Sequence, residues 1–162
     1  MVPLIVFVAV FAGLRLAAAR GLGISRPCSA RFALASVFMV AGSAHFVTPS
    51  AFVEMIPEWL PARDAAVYAT GALELALALA LATRLSILQP RWVGGVAMLL
   101  LGALFPANVY AALHSLGPGA AYGAHYLWFR TPVQALLLAA AWYATYSRAA
   151  NSVFKHAGAR SA

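Results

Sequence analysis

Charge is what this sequence lacks most. Four of its 162 residues are acidic and eleven are basic, so charged residues make up only 9%, against about 25% in an ordinary soluble domain. With 64% hydrophobic residues and a mean hydropathy of +0.84, the chain is built for lipid, and its length allows one compact domain. Cysteine is nearly absent too. The lone Cys28 excludes an internal disulfide and a C-x-x-C pair. No haem, flavin or iron–sulfur motif is present, so redox work here requires a bound cofactor and electrons from a partner or a small thiol substrate. Histidine and acid are equally scarce. His45, His114 and His125 fall on one side of the chain's topology at no ligand spacing, and no metal site is expected.

What is abundant is apolar sequence in long runs. A bilayer core of about 30 Å needs about 20 apolar residues per helix, and five segments approach that length: Val2–Ala19, Phe32–Phe46, Ala65–Ala82, Trp92–Leu113 and Thr131–Tyr146. The first carries Arg15, which can snorkel to the interface. It lacks the basic leading region of a signal peptide, so a retained helix is expected. The run "LELALALALALAT" alternates with period two, as a strand would. Both alternating residues are apolar helix formers, and the run exceeds a barrel strand of about 10 residues, so it reads as helix. The fold expected is all-α, a transmembrane helical bundle with a four-helix core in spans two to five and one extra N-terminal helix.

The net charge of +7 raises nucleic acid as a partner, but the arginines lie in short connectors, where they write bilayer topology. No nucleic-acid role is expected. Arg15, Arg20, Arg26 and Arg31 follow span one, Arg84 and Arg91 follow span three, and Arg148, Lys155 and Arg160 follow span five. Nine of the eleven basic residues therefore share one side, with Arg63 and Arg130 opposite. The positive-inside bias predicts an N-terminus outside and a C-terminus in the cytoplasm. Trp59, Tyr126 and Trp128 then lie near the outer interface, and Trp92, Tyr143 and Tyr146 near the inner one. "SLGPGAAYG" reads as an outer loop, and the residues from Ala149 onward as a loose cytoplasmic tail.

Polar and turn residues concentrate in "HFVTPSAFVEMIPEWLP", residues 45–61, the outer connector between spans two and three. Phe52, Met55, Ile56, Trp59 and Leu60 follow helical spacing, with Glu54 and Glu58 on the opposite face. Pro57 disfavours continuing that helix. A short interfacial helix and a turn through Pro61 are expected, lying over the bundle as a lid.

An ionisable residue within a span points to function by default. Glu74 lies about ten residues into its helix, roughly 15 Å deep, on a face with Thr70, Gly71, Ala78 and Ala82. Small residues there let another helix approach closely. His45 closes span two behind Ala41 and Gly42. Asn108 follows Pro106, whose ring frees the Gly102 carbonyl. Arg130 and Gln134 share one face of span five. His45, Asn108, Arg130 and Gln134 fall in the outer half of the bilayer and Glu74 near its midplane, which predicts a polar cavity opening outward beneath the lid. Glu74 and His45 are the candidate catalytic pair. Asn108, Arg130, Gln134, Tyr68 and Trp59 are the candidate substrate-binding residues.

The motifs "GSAHFVTPSAFVEMIPEWLP", "TGALELALALAL", "FPANVYAAL" and "FRTPVQALLLAAAW", in that order, resemble the DoxX-like family of small bacterial membrane proteins from about Ala30 to Tyr146. The resemblance implies a four-helix membrane domain over residues 30–147, preceded by the helix of residues 1–20 and followed by the tail 148–162. It carries over His45, Pro49, Pro57, Pro61, Gly71, Glu74, Pro106, Asn108, Arg130, Pro132 and Gln134. That family takes its name from a subunit of a thiosulfate:quinone oxidoreductase, and it implies a quinone cofactor and a redox partner protein. Three other readings stay open at this level. One is a lipid- or sterol-like binding protein or isomerase acting on a small apolar ligand. Another is a small transporter coupled to protons through Glu74, and the last is a non-catalytic membrane scaffold.

Overall fold

The structure is a computed structural model that describes residues 2–83 and 90–147. The chain is all-helical in these residues, in the order α1 (Val2–Ala19), α2 (Arg26–Val47), α3 (Pro49–Val53), α4 (Arg63–Ala82), α5 (Pro90–Leu113), a 3-10 segment (Gly117–His125) and α6 (Tyr126–Tyr146). Four helices are long and apolar enough to cross a membrane: Val2–Ala19, Arg26–Val47, Arg63–Ala82 and Arg91–Leu113. α6 has 21 residues, about 31 Å at 1.5 Å per residue. It is long enough to cross as well, although Arg130 and Gln134 dilute its hydropathy. The expected tail, with Arg148, Lys155 and Arg160, lies outside the described residues, as does Arg84.

Two helices begin earlier than hydropathy alone predicts. α2 starts at Arg26, because Ser25 caps it through a bond from the Cys28 amide to the Ser25 hydroxyl (3.3 Å) and Pro27 fits the first turn. This takes Arg31 into the helix, where it is buried and its guanidinium sits 5.2 Å from the Phe32 ring centre. α6 starts at Tyr126 and includes Arg130 in its second turn. The predicted outer loop is instead the 3-10 segment, with left-handed turns at Gly117 and Gly123.

α2 is the central helix. It packs on α1, α4 and α6, while α5 packs mainly on α6 and the 3-10 segment and only slightly on α4. α1 lies on the outside of this four-helix core, contributing Phe7 to it and leaving Ile5 and Leu16 exposed. Lipid is as apolar as leucine, so these helices associate through packing and polar contacts rather than by hydrophobic exclusion from water. Phe38, Leu34, Leu81 and Leu137 are fully buried. They belong to a core drawn from α2 before Met39, α4 after Leu75, α5 before Gly102 and the body of α6. That places the apolar core in the half of the bundle away from α3. The half nearest α3 holds His45, Glu74, Asn108 and Arg130, while Ser29, Arg31, Thr145 and Ser147 are buried polar residues of the other half.

The connector after α2 departs from its predicted helical pattern. α3 ends at Val53, so only Phe52 of the five apolar residues is helical; Met55, Ile56, Trp59 and Leu60 follow in turns. Pro57 has no N–H to continue the ladder and holds Ile56 away from helical geometry. The segment still covers the bundle end, touching α2, α4 and the 3-10 segment. At Gly117, with φ +66°, a Cβ would lie 2.6 Å from Met55 Cγ and 3.0 Å from the Ala51 carbonyl. Only glycine lets the two connectors meet there.

Candidate functional site

The site starts from a crossing of α2 and α4 that two glycines permit. A Cβ at Gly42 would stand 2.9 Å from the Gly71 carbonyl, and one at Gly71 would stand 2.7 Å from His45 Cβ. Backbones this close bring together the side chains just beyond them. His45 Nδ1 lies 3.5 Å from Glu74 Oε2, and both residues are buried. The same Nδ1 is 2.9 Å from the Ala41 carbonyl. A carbonyl only accepts, so Nδ1 carries the proton and a neutral imidazole keeps its lone pair on Nε2. Phe52 stacks on the imidazole with ring centres 4.1 Å apart, closing this pair from the α3 side.

A second polar pair joins α5 to α6. Arg130 Nε donates to Asn108 Oδ1 at 3.0 Å, and Asn108 Nδ2 donates to the Leu104 carbonyl at 2.8 Å. Asn108 therefore faces Arg130 rather than the carbonyl freed by Pro106. Gln134, also buried, donates across the helices to the Leu101 carbonyl at 2.6 Å. It acts as an interhelical tie one turn below Arg130. The two pairs are not independent, since Arg130 and Glu74 act on each other through their charges. Glu74, His45, Arg130 and Asn108 thus form one polar layer across α2, α4, α5 and α6, above the apolar core.

Two of the sequence-predicted binding residues stand apart from that layer. Trp59 is 80% exposed, in the turn after α3. Tyr68 is 44% exposed on α4, with its ring 5.7 Å from that of Phe46. Both sit where interfacial anchors belong, as does Trp128, which is 85% exposed. The residue the sequence reading assigned only to the lid is Phe52. Its signal was the Pro49 turn, which reverses the chain so that a residue seven positions on returns to the His45 ring. His114 and His125 are exposed near the same end; His114 bonds the Tyr110 carbonyl at 2.9 Å. Among the described residues, no three His, Cys, Asp or Glu side chains group together as a metal site.

The chemistry available is that of a carboxyl, an imidazole with a fixed tautomer, and a guanidinium held by a carboxamide, all within a membrane helix bundle. Such a set can hydrogen-bond a polar head group and move protons at it. No curated protein and no solved structure matches the chain. A family model does match, over residues 34–145, from within α2 to the last turn of α6. The chain belongs to that family, which is described as a domain of unknown function (DUF8561).

Proposed function

We propose that this protein is a subunit of a quinone-linked oxidoreductase of the bacterial inner membrane. Its polar layer binds the head group of a quinone-like molecule. The observation that carries this reading is the buried Glu74–His45 pair at 3.5 Å, coupled by charge to Arg130. Reducing a quinone to its hydroquinone takes two electrons and two protons. A redox partner protein supplies the electrons, and His45 or Glu74 relays the two protons, taken up from the aqueous side, to the ring oxygens. Arg130 and Asn108 orient the ring by hydrogen bonding. The resemblance to the DoxX-like family supports the same class of ligand.

The basic residues support an orientation with the polar layer toward the outer face. Arg15, Arg20, Arg26, Arg31 and Arg91 all lie at the bundle end away from α3. A fluorescent reporter fused after Ala162 should then light up in the cytoplasm. A secreted-phosphatase reporter fused there should be inactive.

Mass spectrometry of the mild-detergent extract tests the ligand, together with thermal unfolding in the presence of a decyl-chain benzoquinone. A co-purifying isoprenoid quinone and a raised melting temperature are expected. A sterol-like or phospholipid species in its place, with no response to the benzoquinone, would move the assignment to a lipid-binding protein.

A further inference from the structure

Two groups in the polar layer have hydrogen-bonding capacity the protein leaves unused, and they are of opposite sense. Glu74 Oε2 is buried and accepts no hydrogen bond among the described residues. His45 Nδ1 stands 3.5 Å away, but its proton is directed to the Ala41 carbonyl. Arg130, by contrast, uses only Nε, on Asn108. Its terminal nitrogens, which carry most of its donors, bond no described residue. The guanidinium is half-buried, and its charge is felt at Glu74. A lone acceptor on α4 and spare donors on α6 therefore lie in the same, α3-side half of the bundle.

A ligand that completes this layer brings a donor for Glu74 and an acceptor for Arg130 on the same head group. Within the quinone-class reading above, on which this step rests, the two redox forms differ in that respect. An oxidised quinone presents acceptors only. It can satisfy Arg130 but leaves Oε2 of an ionised Glu74, the state reached once that carboxyl has given up its proton, unpaired. A hydroquinone presents a phenolic O–H as well. We infer that the layer prefers the reduced form of its ligand, with one phenolic O–H donating to Glu74 Oε2 and a second ring oxygen accepting from Arg130. A buried acceptor left unsatisfied weakens binding by about tenfold or more. Each tenfold preference for the hydroquinone raises the two-electron midpoint potential of the bound couple by about 30 mV, so the site favours reduction of the quinone it holds.

Anaerobic titration of the purified full-length protein in nanodiscs tests this, using a decyl-chain benzoquinone and its hydroquinone as the two probes. The hydroquinone is expected to bind about tenfold more tightly. Equal affinities, or tighter binding of the quinone, would overturn the preference and leave the quinone reading intact. Failure of both probes to bind removes that reading and this inference with it. Glu74→Gln presents an amide that donates as well as accepts, so the preference should collapse while the quinone still binds. Arg130→Met should weaken both probes alike. A preference that survives E74Q, or affinities untouched by R130M, would show that these two side chains do not carry it. The comparison of the two probes on the native chain stands even if a variant fails to fold.

Discussion

Replacing Gly71 by alanine tests the geometry that brings His45 to Glu74. The added Cβ would lie 2.7 Å from His45 Cβ, 3.0 Å from Phe46 Cε2 and 3.2 Å from the Gly42 carbonyl. Carbon atoms in contact sit about 3.5–4.0 Å apart, so relief at His45 needs a shift of about 1 Å. The Phe46 ring can turn, but the His45 Cβ and the backbone oxygen cannot swing aside as the end of a long side chain could. The two helices must separate, at a cost of about 1–3 kcal/mol. The same separation draws His45 away from Glu74. Gly102 provides a matched control, since a Cβ there meets nothing within 4 Å. Alanine in place of a helix-interior glycine should be neutral, or stabilising by up to about 1 kcal/mol. Unfolding of both variants in mild detergent, by heat or by titration with a denaturing detergent, measures the difference. Gly71→Ala should unfold first and lose ligand binding, while Gly102→Ala should match the native chain. If both unfold together with the native protein, the close crossing of α2 and α4 is wrong, and the His45–Glu74 pair falls with it.

Further outcomes follow from other contacts. A Cβ at Gly94 would stand 2.6 Å from Thr145 Cβ, so Gly94→Ala should cost about 1–3 kcal/mol and Thr145→Gly should restore stability in the double variant. For the buried pair, a double-mutant cycle with His45→Ala and Glu74→Leu should give a coupling of about 0.5–3 kcal/mol. The single His45 change should be the worse of the two if it strands an ionised carboxyl; strict additivity would mean the pair does not interact. Asn108→Leu removes the acceptor for Arg130 Nε, and a loss of about 1–3 kcal/mol in unfolding free energy is expected. Trp59→Ala and Trp128→Ala, at residues 80% and 85% exposed, should leave unfolding in detergent within about 0.5 kcal/mol of native. A larger loss for Trp59 would return it to the site.

The spans were legible because a bilayer enforces length and hydropathy together, and helices satisfy their own backbone inside it. Helix starts were less so. Hydropathy fades across Arg26–Arg31, yet a cap at Ser25 and a first-turn proline extend α2 through that stretch, since a helix needs no apolar side chains to form. The residues "SLGPGAAYG" read as loop because glycine and proline mark turns. Two of those glycines do make left-handed turns, but the residues between them close into 3-10 geometry. For the site, depth along each helix could be counted from sequence: it put His45, Asn108, Arg130 and Gln134 in the outer half and Glu74 near the midplane. Rotation about each helix axis could not, because in an apolar helix the faces toward lipid and toward protein look alike. That ambiguity admitted Tyr68 and Trp59. It also hid the Asn108–Arg130 bond, whose partners are 22 residues apart.

The division of the bundle into a polar half and an apolar half bears on the transporter reading. Passage through the protein requires a chain of polar groups, or a path that opens, between the polar layer and the far end. About two turns below His45, α2 presents Phe38 and then Leu34; α4 presents Leu81 below Glu74, and α6 presents Leu137 below Gln134, all fully buried. Beyond them, the buried polar side chains at the far end are Ser29, Thr145 and Ser147, which bond carbonyls within their own helices, and Arg31, whose guanidinium stands over the Phe32 ring. A proton on Glu74 therefore has polar partners sideways, in His45 and Arg130, and a packed apolar layer beneath. Carriage through this bundle would have to separate the fully buried side chains of Phe38, Leu34, Leu81 and Leu137, whereas exchange confined to the polar half needs no such step.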